Sequence, residues 1–336
     1  MSRRGWVLFA AMSVIWGLPY LLIKVGVGGV SVPVLVLARV SLGALLLLPF
    51  ALRRGQFAAI KPVWPWLIVF AVVEIIMPWL ALSEAERGIS SSLTGLLIAS
   101  TPIIVAVVSL FLRGGDRLSP VRWLGLLIGL GGVVMLAGPH LVGSGGSTAR
   151  SVGEVLFVAL CYATGPLIAN RKLADVPPVA MTAACLILAS VVYAPLAAFS
   201  WPSSVPSASV LLSMAGLAVV CTAAAFLIFF TLIGEVGPAR ASVITYINPA
   251  IAVTLGVAVL GEHVSALMLI AFATILVGSV LATRPARRSI AVGEPEAEPA
   301  SAATSDRASG RASGRGSDRG SGHGSDRGGE PVRAAR

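Results

Sequence analysis

The sequence predicts an all-α integral membrane protein, with ten transmembrane helices arranged as two inverted five-helix repeats and a disordered C-terminal tail. Three observations predict it. The chain of 336 residues is 56% hydrophobic and only 12% charged, with a mean hydropathy of +0.90, too little polar surface for a soluble protein of that length. Its apolar residues fall in about ten blocks, each near the roughly 20 residues that one bilayer crossing requires. The two halves of the apolar region also match one another at an offset near 148 residues.

The first repeat, residues 5–138, holds spans at 5–24, 31–50, 64–83, 89–112 and 119–138. A Gly/Ser loop around Gly143–Thr148 follows. The second repeat, 152–283, holds spans at 152–171, 178–199, 208–233, 239–260 and 265–283. Inside a bilayer the backbone must satisfy its own hydrogen bonds, so these blocks are helices rather than open strands. The start, Ser2-Arg3-Arg4 before an apolar run from Gly5 to Val25, resembles a signal peptide. The run is too long for one and no small-residue cleavage site follows promptly, so it reads as an uncleaved first span.

Lys and Arg in the loops set the orientation. With the N-terminus in the cytoplasm, Arg3, Arg4, Arg53, Arg54, Lys61, Arg113, Arg117, Arg122, Arg171, Lys172, Arg240, Arg284, Arg287 and Arg288 lie inside, and only Lys24, Arg87 and Arg150 outside, 14 against 3. That bias predicts cytoplasmic N- and C-termini and an even number of spans. It also accounts for much of the formal charge of +10 without a nucleic-acid partner.

The internal match is ordered. A shift of 148 lays Val7-Leu8-Phe9 on Val155-Leu156-Phe157, Gly17 on Gly165 and Lys24 on Lys172. A shift of 147 lays Pro102 on Pro249, and one of 146 lays Gly132 on Gly278. Five helices per repeat is an odd number, so the second repeat is inverted in the membrane, a recurring transporter architecture.

Residues 284–336 are a different material, with no Leu, Phe, Trp, Tyr or Met and with seven acids beside ten arginines. Such a segment cannot bury enough apolar area to offset chain entropy. A solvated cytoplasmic tail is favoured over an RNA-binding Arg-Gly segment. Cys161, Cys185 and Cys221, and His140, His263 and His323, are scattered without ligand spacing, so no metal, disulfide framework or cofactor is expected. Gly125, Gly129, Gly131 and Gly132 lie within an apolar span with no preceding strand. They suit close helix approach rather than nucleotide binding, so direct ATP drive is not expected.

With spans and repeats in place, the chain resembles the EamA family of the drug/metabolite transporter superfamily over roughly residues 5–283. Its carriers are Trp16-Gly17 with Lys24 at the end of the first span, Pro33 followed by Arg39, and Ile89-Ser90-Ser91-Ser92-Leu93 running to Thr101-Pro102. Gly125 to Gly132, then Gly237, Asn248-Pro249 and Leu260-Gly261-Glu262, complete the series. The resemblance implies a polytopic inner-membrane carrier of small metabolites. It also implies a central cavity ringed by spans 1–4 and 6–9, with 5 and 10 outside. The sequence departs from the family pattern at Glu74, where a small or apolar residue is expected, and at 113–116, which reads Arg-Gly-Gly-Asp where the second half keeps Gly261-Glu262.

The candidate substrate pathway comprises Trp16, Arg39, Glu74, Tyr162, Tyr246 and Asn248. Intramembrane charges are costly and usually face protein or a cavity. Arg39 and Glu74 lie at similar depths on consecutive antiparallel spans, which predicts a pair, either structural or functional. Pro102 and Pro249 are candidate helix breaks that free the carbonyls of Ile98 and Thr245, whether to shape the bundle or to make a polar patch. Trp16 and Tyr162 are candidate cavity liners, with plain packing as the alternative. The expected function is secondary transport of a small metabolite (amino acid, related metabolite or drug-like compound), as an exporter working by alternating access. The rivals are a membrane enzyme acting on lipid-linked substrates and a sensor or scaffold. The expected partners are a small-molecule substrate and the lipid bilayer, with a homodimer left open and no nucleic acid.

Overall fold

Long apolar stretches with little charge fold as helices, and every regular element among the described residues is helical. A computed structural model describes residues 1–53, 56–112, 119–142 and 146–283. The tail 284–336, the Arg-Gly-Gly-Asp stretch at 113–116 and the loop arginines Arg54 and Arg117 lie outside the described residues.

In chain order the helices are α1 (Arg3–Ile15), α2 (Leu18–Val27), α3 (Val32–Arg53), α4 (Trp64–Ala71), α5 (Met77–Gly88), α6 (Ser91–Ile98), α7 (Thr101–Leu112) and α8 (Pro120–Val142). They continue with α9 (Gly146–Lys172), α10 (Pro178–Ala198), α11 (Ala208–Ala218), α12 (Ala225–Val236), α13 (Pro238–Ala241), α14 (Ile244–Leu260) and α15 (Ala266–Ala282). Among the described residues, eight helical stretches, some of them interrupted, are long and apolar enough to cross a membrane; Ile244–Leu260 and Ala266–Ala282 are shorter.

Several elements differ from the sequence reading. The first span is broken: α1 ends at Ile15, and α2 restarts at Leu18 with Pro19 in its first turn. The fourth breaks likewise between α6 and α7. Pro102 therefore opens a new helix instead of kinking a continuous one. The Ile98 carbonyl it leaves free accepts the Thr101 hydroxyl at 2.7 Å, so that acceptor is satisfied locally. Pro249 does sit inside a continuous helix, α14. The helix expected from 152 begins at Gly146. Two stretches are π-helical, Val72–Ile76 between α4 and α5 and Val219–Ala224 between α11 and α12.

Packing is organised by small residues. α8 lies along α15, α3 along α10, α6 against α14 and α5 against α9. At the α8–α15 crossing, a Cβ on Gly278 would overlap the backbone of Gly129 and come within 2.8 Å of the Gly125 carbonyl. Only glycine allows that approach. The outer faces of this pair expose Leu124, Leu127, Leu130, Ile270 and Val277, an apolar surface suited to lipid.

Polar side chains tie the helix ends together. At one end, Lys24 Nζ donates to the carbonyls of Glu86 (2.6 Å) and Ile89 (2.7 Å), and Ser31 meets Ser200 at 2.9 Å. At that end too, Glu262 accepts from Ser91 N (2.8 Å), Ser92 N (2.9 Å), Ser91 Oγ (3.2 Å) and Ser92 Oγ (2.6 Å). Elsewhere, Ser2 bonds Glu235, and Lys172 Nζ sits 4.7 Å from the Trp66 ring centroid.

Candidate functional site

The interior is built around Arg39, 8% exposed on α3. Its Nε donates to Thr222 Oγ1 at 3.0 Å, and its guanidinium carbon lies 3.6 Å from the Trp79 ring centroid. The π-helical turn explains the first contact. There the Thr222 hydroxyl donates five residues back, to the Leu217 carbonyl at 2.8 Å. Its proton is thereby committed, and an oxygen lone pair faces Arg39. Gly43, one turn along α3, lets the helices approach: a Cβ there would stand 2.8 Å from Thr222 Cγ2. Tyr20 and Tyr162 lie within electrostatic reach of Arg39. Tyr162 packs on the same apolar cluster as Trp79.

Glu74 is elsewhere on this interior. It occupies the other π-helical turn, and its Oε2 is buried without a hydrogen-bond partner. A Cβ on Gly165 of α9 would overlap that oxygen. The expected ion pair with Arg39 is not formed: the ion pairs found among the described residues are Arg87–Glu84 and Arg150–Glu154. Equal depth on neighbouring helices was a sound inference from a fixed rise per residue. Azimuth was not, because the π-helical turn changes the facing of the side chains it carries. The free carbonyl of Ile76 in that turn accepts the Tyr193 hydroxyl of α10.

The other expected residues spread out from this centre. Trp16 sits at the α1–α2 break, half-buried, with its ring centroid 4.5 Å from Phe229 and 6.3 Å from Phe226. Phe226 lies four residues beyond Thr222, and Trp16 four residues before Tyr20 across the break. Asn248 is a fastener between spans. In the amide orientation that satisfies both its atoms, its nitrogen donates to the carbonyls of Ser13 (3.1 Å) and Ile244 (2.9 Å). Tyr246 is half-buried on α14.

Sequence reasoning missed Tyr20, Trp79 and Thr222, none of which carries a charge to attract notice. It also missed Glu86, which falls between the spans expected at 64–83 and 89–112; the residue is fully buried at the end of α5, and neither of its carboxyl oxygens has a hydrogen-bond partner.

Lipid-facing apolar helices enclosing a polar interior are the construction of a multi-pass integral membrane protein. The chain belongs to the EamA-like transporter family, whose model matches it twice, over residues 3–138 and 152–284. It is similar to the "Uncharacterized inner membrane transporter YedA" of Escherichia coli (strain K12), 28% identical over 283 residues, covering 81% of this chain and 88% of that protein. It is also similar to the "Uncharacterized transporter YvbV" of Bacillus subtilis (strain 168), at 25% over 259 residues, 75% of this chain and 82% of that protein. A crystal structure shares the fold at a TM-score of 0.60 and 23% identity, over 84% of this chain and 98% of that one. Family and relatives point to a membrane transporter rather than an enzyme.

Proposed function

We propose that the protein is a secondary carrier in the cytoplasmic membrane that exports a small metabolite by alternating access, with ten spans in two inverted repeats. The observation that carries this reading is the buried cationic centre at Arg39, built from α3, the α4–α5 span and the α11–α12 span, with no ion pair to it among the described residues. The repeat is supported by the pairing of the helices. Exchanging each span for its partner in the other half maps the α8–α15, α3–α10 and α6–α14 contacts onto themselves, and the α5–α9 contact onto that of α1 with α12. The two π-helical turns correspond as well, Val72 to Val219 at a shift of 147. The 17-residue helices α14 and α15 rise about 25 Å, close to a crossing of roughly 30 Å.

The test is metabolite profiling of cells and medium with and without overexpression, followed by flux of the leading compound in proteoliposomes. No difference in export, and no flux for any accumulated compound, sinks the reading.

Topology is tested by single cysteines in a background lacking Cys161, Cys185 and Cys221. His263→Cys and Arg150→Cys should react with an impermeant reagent from outside intact cells, and Lys61→Cys only after permeabilisation. The reverse pattern inverts the model, and a mixed pattern removes a span.

Glu74 is assigned to proton coupling. A carboxylate anion whose buried Oε2 has no hydrogen-bond partner is costly in a membrane interior, and an amide of the same shape removes the charge from that cost. Glu74→Gln should therefore express and melt as the parent does, while export flux loses its dependence on pH. Flux that keeps its pH profile in a well-folded Glu74→Gln protein removes Glu74 from coupling.

A further inference from the structure

We propose that Arg39 is the anchor for a carboxylate on the transported molecule, so that the substrates are small organic acids with an apolar body. The inference rests on the transporter reading and narrows its substrate class. Arginine carries five N–H donors in a planar fork and is charged throughout the accessible pH range. Here only one, on Nε, is used, toward Thr222 Oγ1. The face of the fork is occupied by Trp79. Among the described residues the terminal nitrogens make no hydrogen bond, and no carboxylate lies within 4.0 Å, since the ion pairs found are Arg87–Glu84 and Arg150–Glu154.

A charge left this way in a membrane protein is expensive. The scaffold nevertheless fixes it in place with a committed threonine, an indole and a close approach at Gly43. Those contacts hold the guanidinium plane and leave the edge that recognises carboxylates, through two parallel N–H···O bonds. A lysine would offer the charge without that edge. The groups around the fork fit an organic acid. Tyr20 and Tyr162, within electrostatic reach of Arg39, carry hydroxyls that can donate hydrogen bonds, and the half-buried rings of Trp16, Phe226 and Phe229, which pack on one another, offer apolar surface. Glu74, the oppositely charged residue type on this interior, faces Gly165 and leaves the fork free.

The test is ligand-induced stabilisation of the full-length protein in nanodiscs. The probes are butanoate, hexanoate and phenylacetate, each against its own primary amide. At least one acid should raise the melting temperature in a saturable way, and its amide should not. Arg39→Gln should abolish the shift. Arg39→Lys should weaken the half-saturating concentration by about tenfold or more, through loss of the bidentate edge. Thr222→Val, which keeps the charge but frees Nε, should weaken it severalfold, and the surface change Arg150→Gln should leave it unchanged. Equal shifts from acid and amide, no shift from any acid, or an undiminished shift in Arg39→Gln overturns the proposal. The acid–amide comparison uses the unaltered protein, so a misfolded variant does not remove the test. Robust flux of a neutral or cationic compound without any response to acids sinks this inference and leaves the transporter reading standing. Absence of flux for every candidate sinks the transporter reading instead.

Discussion

Gly278→Ala will lower the melting temperature of the protein by several degrees, and Gly278→Leu will leave little or no folded material in the membrane fraction. The methyl group of alanine has nowhere to go. It would overlap the backbone nitrogen and Cα of Gly129, with the Gly125 carbonyl at 2.8 Å. Backbone in the middle of a helix cannot step aside as a side-chain tip can, so α8 and α15 must separate along their length. Overpacking of this kind costs about 1–3 kcal/mol for a small group, and more for a large one. The control is Gly131→Ala on the same helix, where an added Cβ meets nothing within 4 Å. There alanine's better helix propensity should be neutral or stabilising by up to about 1 kcal/mol. Thermal melts of both proteins after detergent extraction decide the matter. If the two alanine variants melt within a degree of each other, the α8–α15 crossing is not as close as described.

These glycines show what could be read from the sequence. Spacing four apart within an apolar span identifies a close helix approach, but not the partner. Gly278 was legible only as the repeat counterpart of Gly132. The existence of helices followed from block length and composition, because lipid leaves the backbone little alternative. Their interruptions did not follow. The break at Trp16–Gly17 has a proline beside it, as does the break at Ala99–Ser100, yet Pro249 and Pro166 lie within unbroken helices. Proline lowers the cost of a break, and tertiary packing decides whether one occurs. The π-helical turns leave no mark in hydrophobic periodicity, since one extra residue in a turn is lost within the apolar run. Their consequence was large all the same: one directs Thr222 onto Arg39 and the other carries Glu74 against Gly165. Charge made Arg39 and Glu74 conspicuous in the sequence. Their separation depended on helix azimuth, which the sequence does not encode in any short pattern.

Loss of the Glu262 carboxylate will open the end of the protein where α6 begins. Glu262 follows Gly261, which has φ +66° and ends α14, and the Glu262 N–H bonds back to the Gly256 carbonyl at 3.1 Å. That turn aims the carboxylate at the start of α6, where it takes four hydrogen bonds from Ser91 and Ser92, two of them backbone N–H groups that a helix terminus leaves without internal partners. An anion at this position also opposes the positive end of the helix dipole. The contact joins the two halves of the chain. Burial alone would push the Glu262 carboxyl up, but the bonds from Ser92 and Ser91 outweigh it and hold the group below the usual carboxylate range. A group depressed in the folded state contributes its stability above the unfolded value of about 4.3 and loses it only as pH falls through the depressed value. The latch therefore does not titrate between about pH 5 and 8, and any pH dependence of transport in that range arises elsewhere. In a background lacking the native cysteines, Leu93→Cys, 3% exposed at that end, should react slowly with an aqueous thiol reagent. Adding Glu262→Ala should speed the reaction at least tenfold. Gly256→Ala should do the same, because its Cβ would overlap Glu262 Oε2 and Ser92 Oγ. Ser92→Ala combined with Glu262→Ala should add little to Glu262→Ala alone, since both remove the same bonds. Unchanged labelling in Glu262→Ala, or full additivity with Ser92→Ala, would show that something other than this carboxylate keeps the end shut.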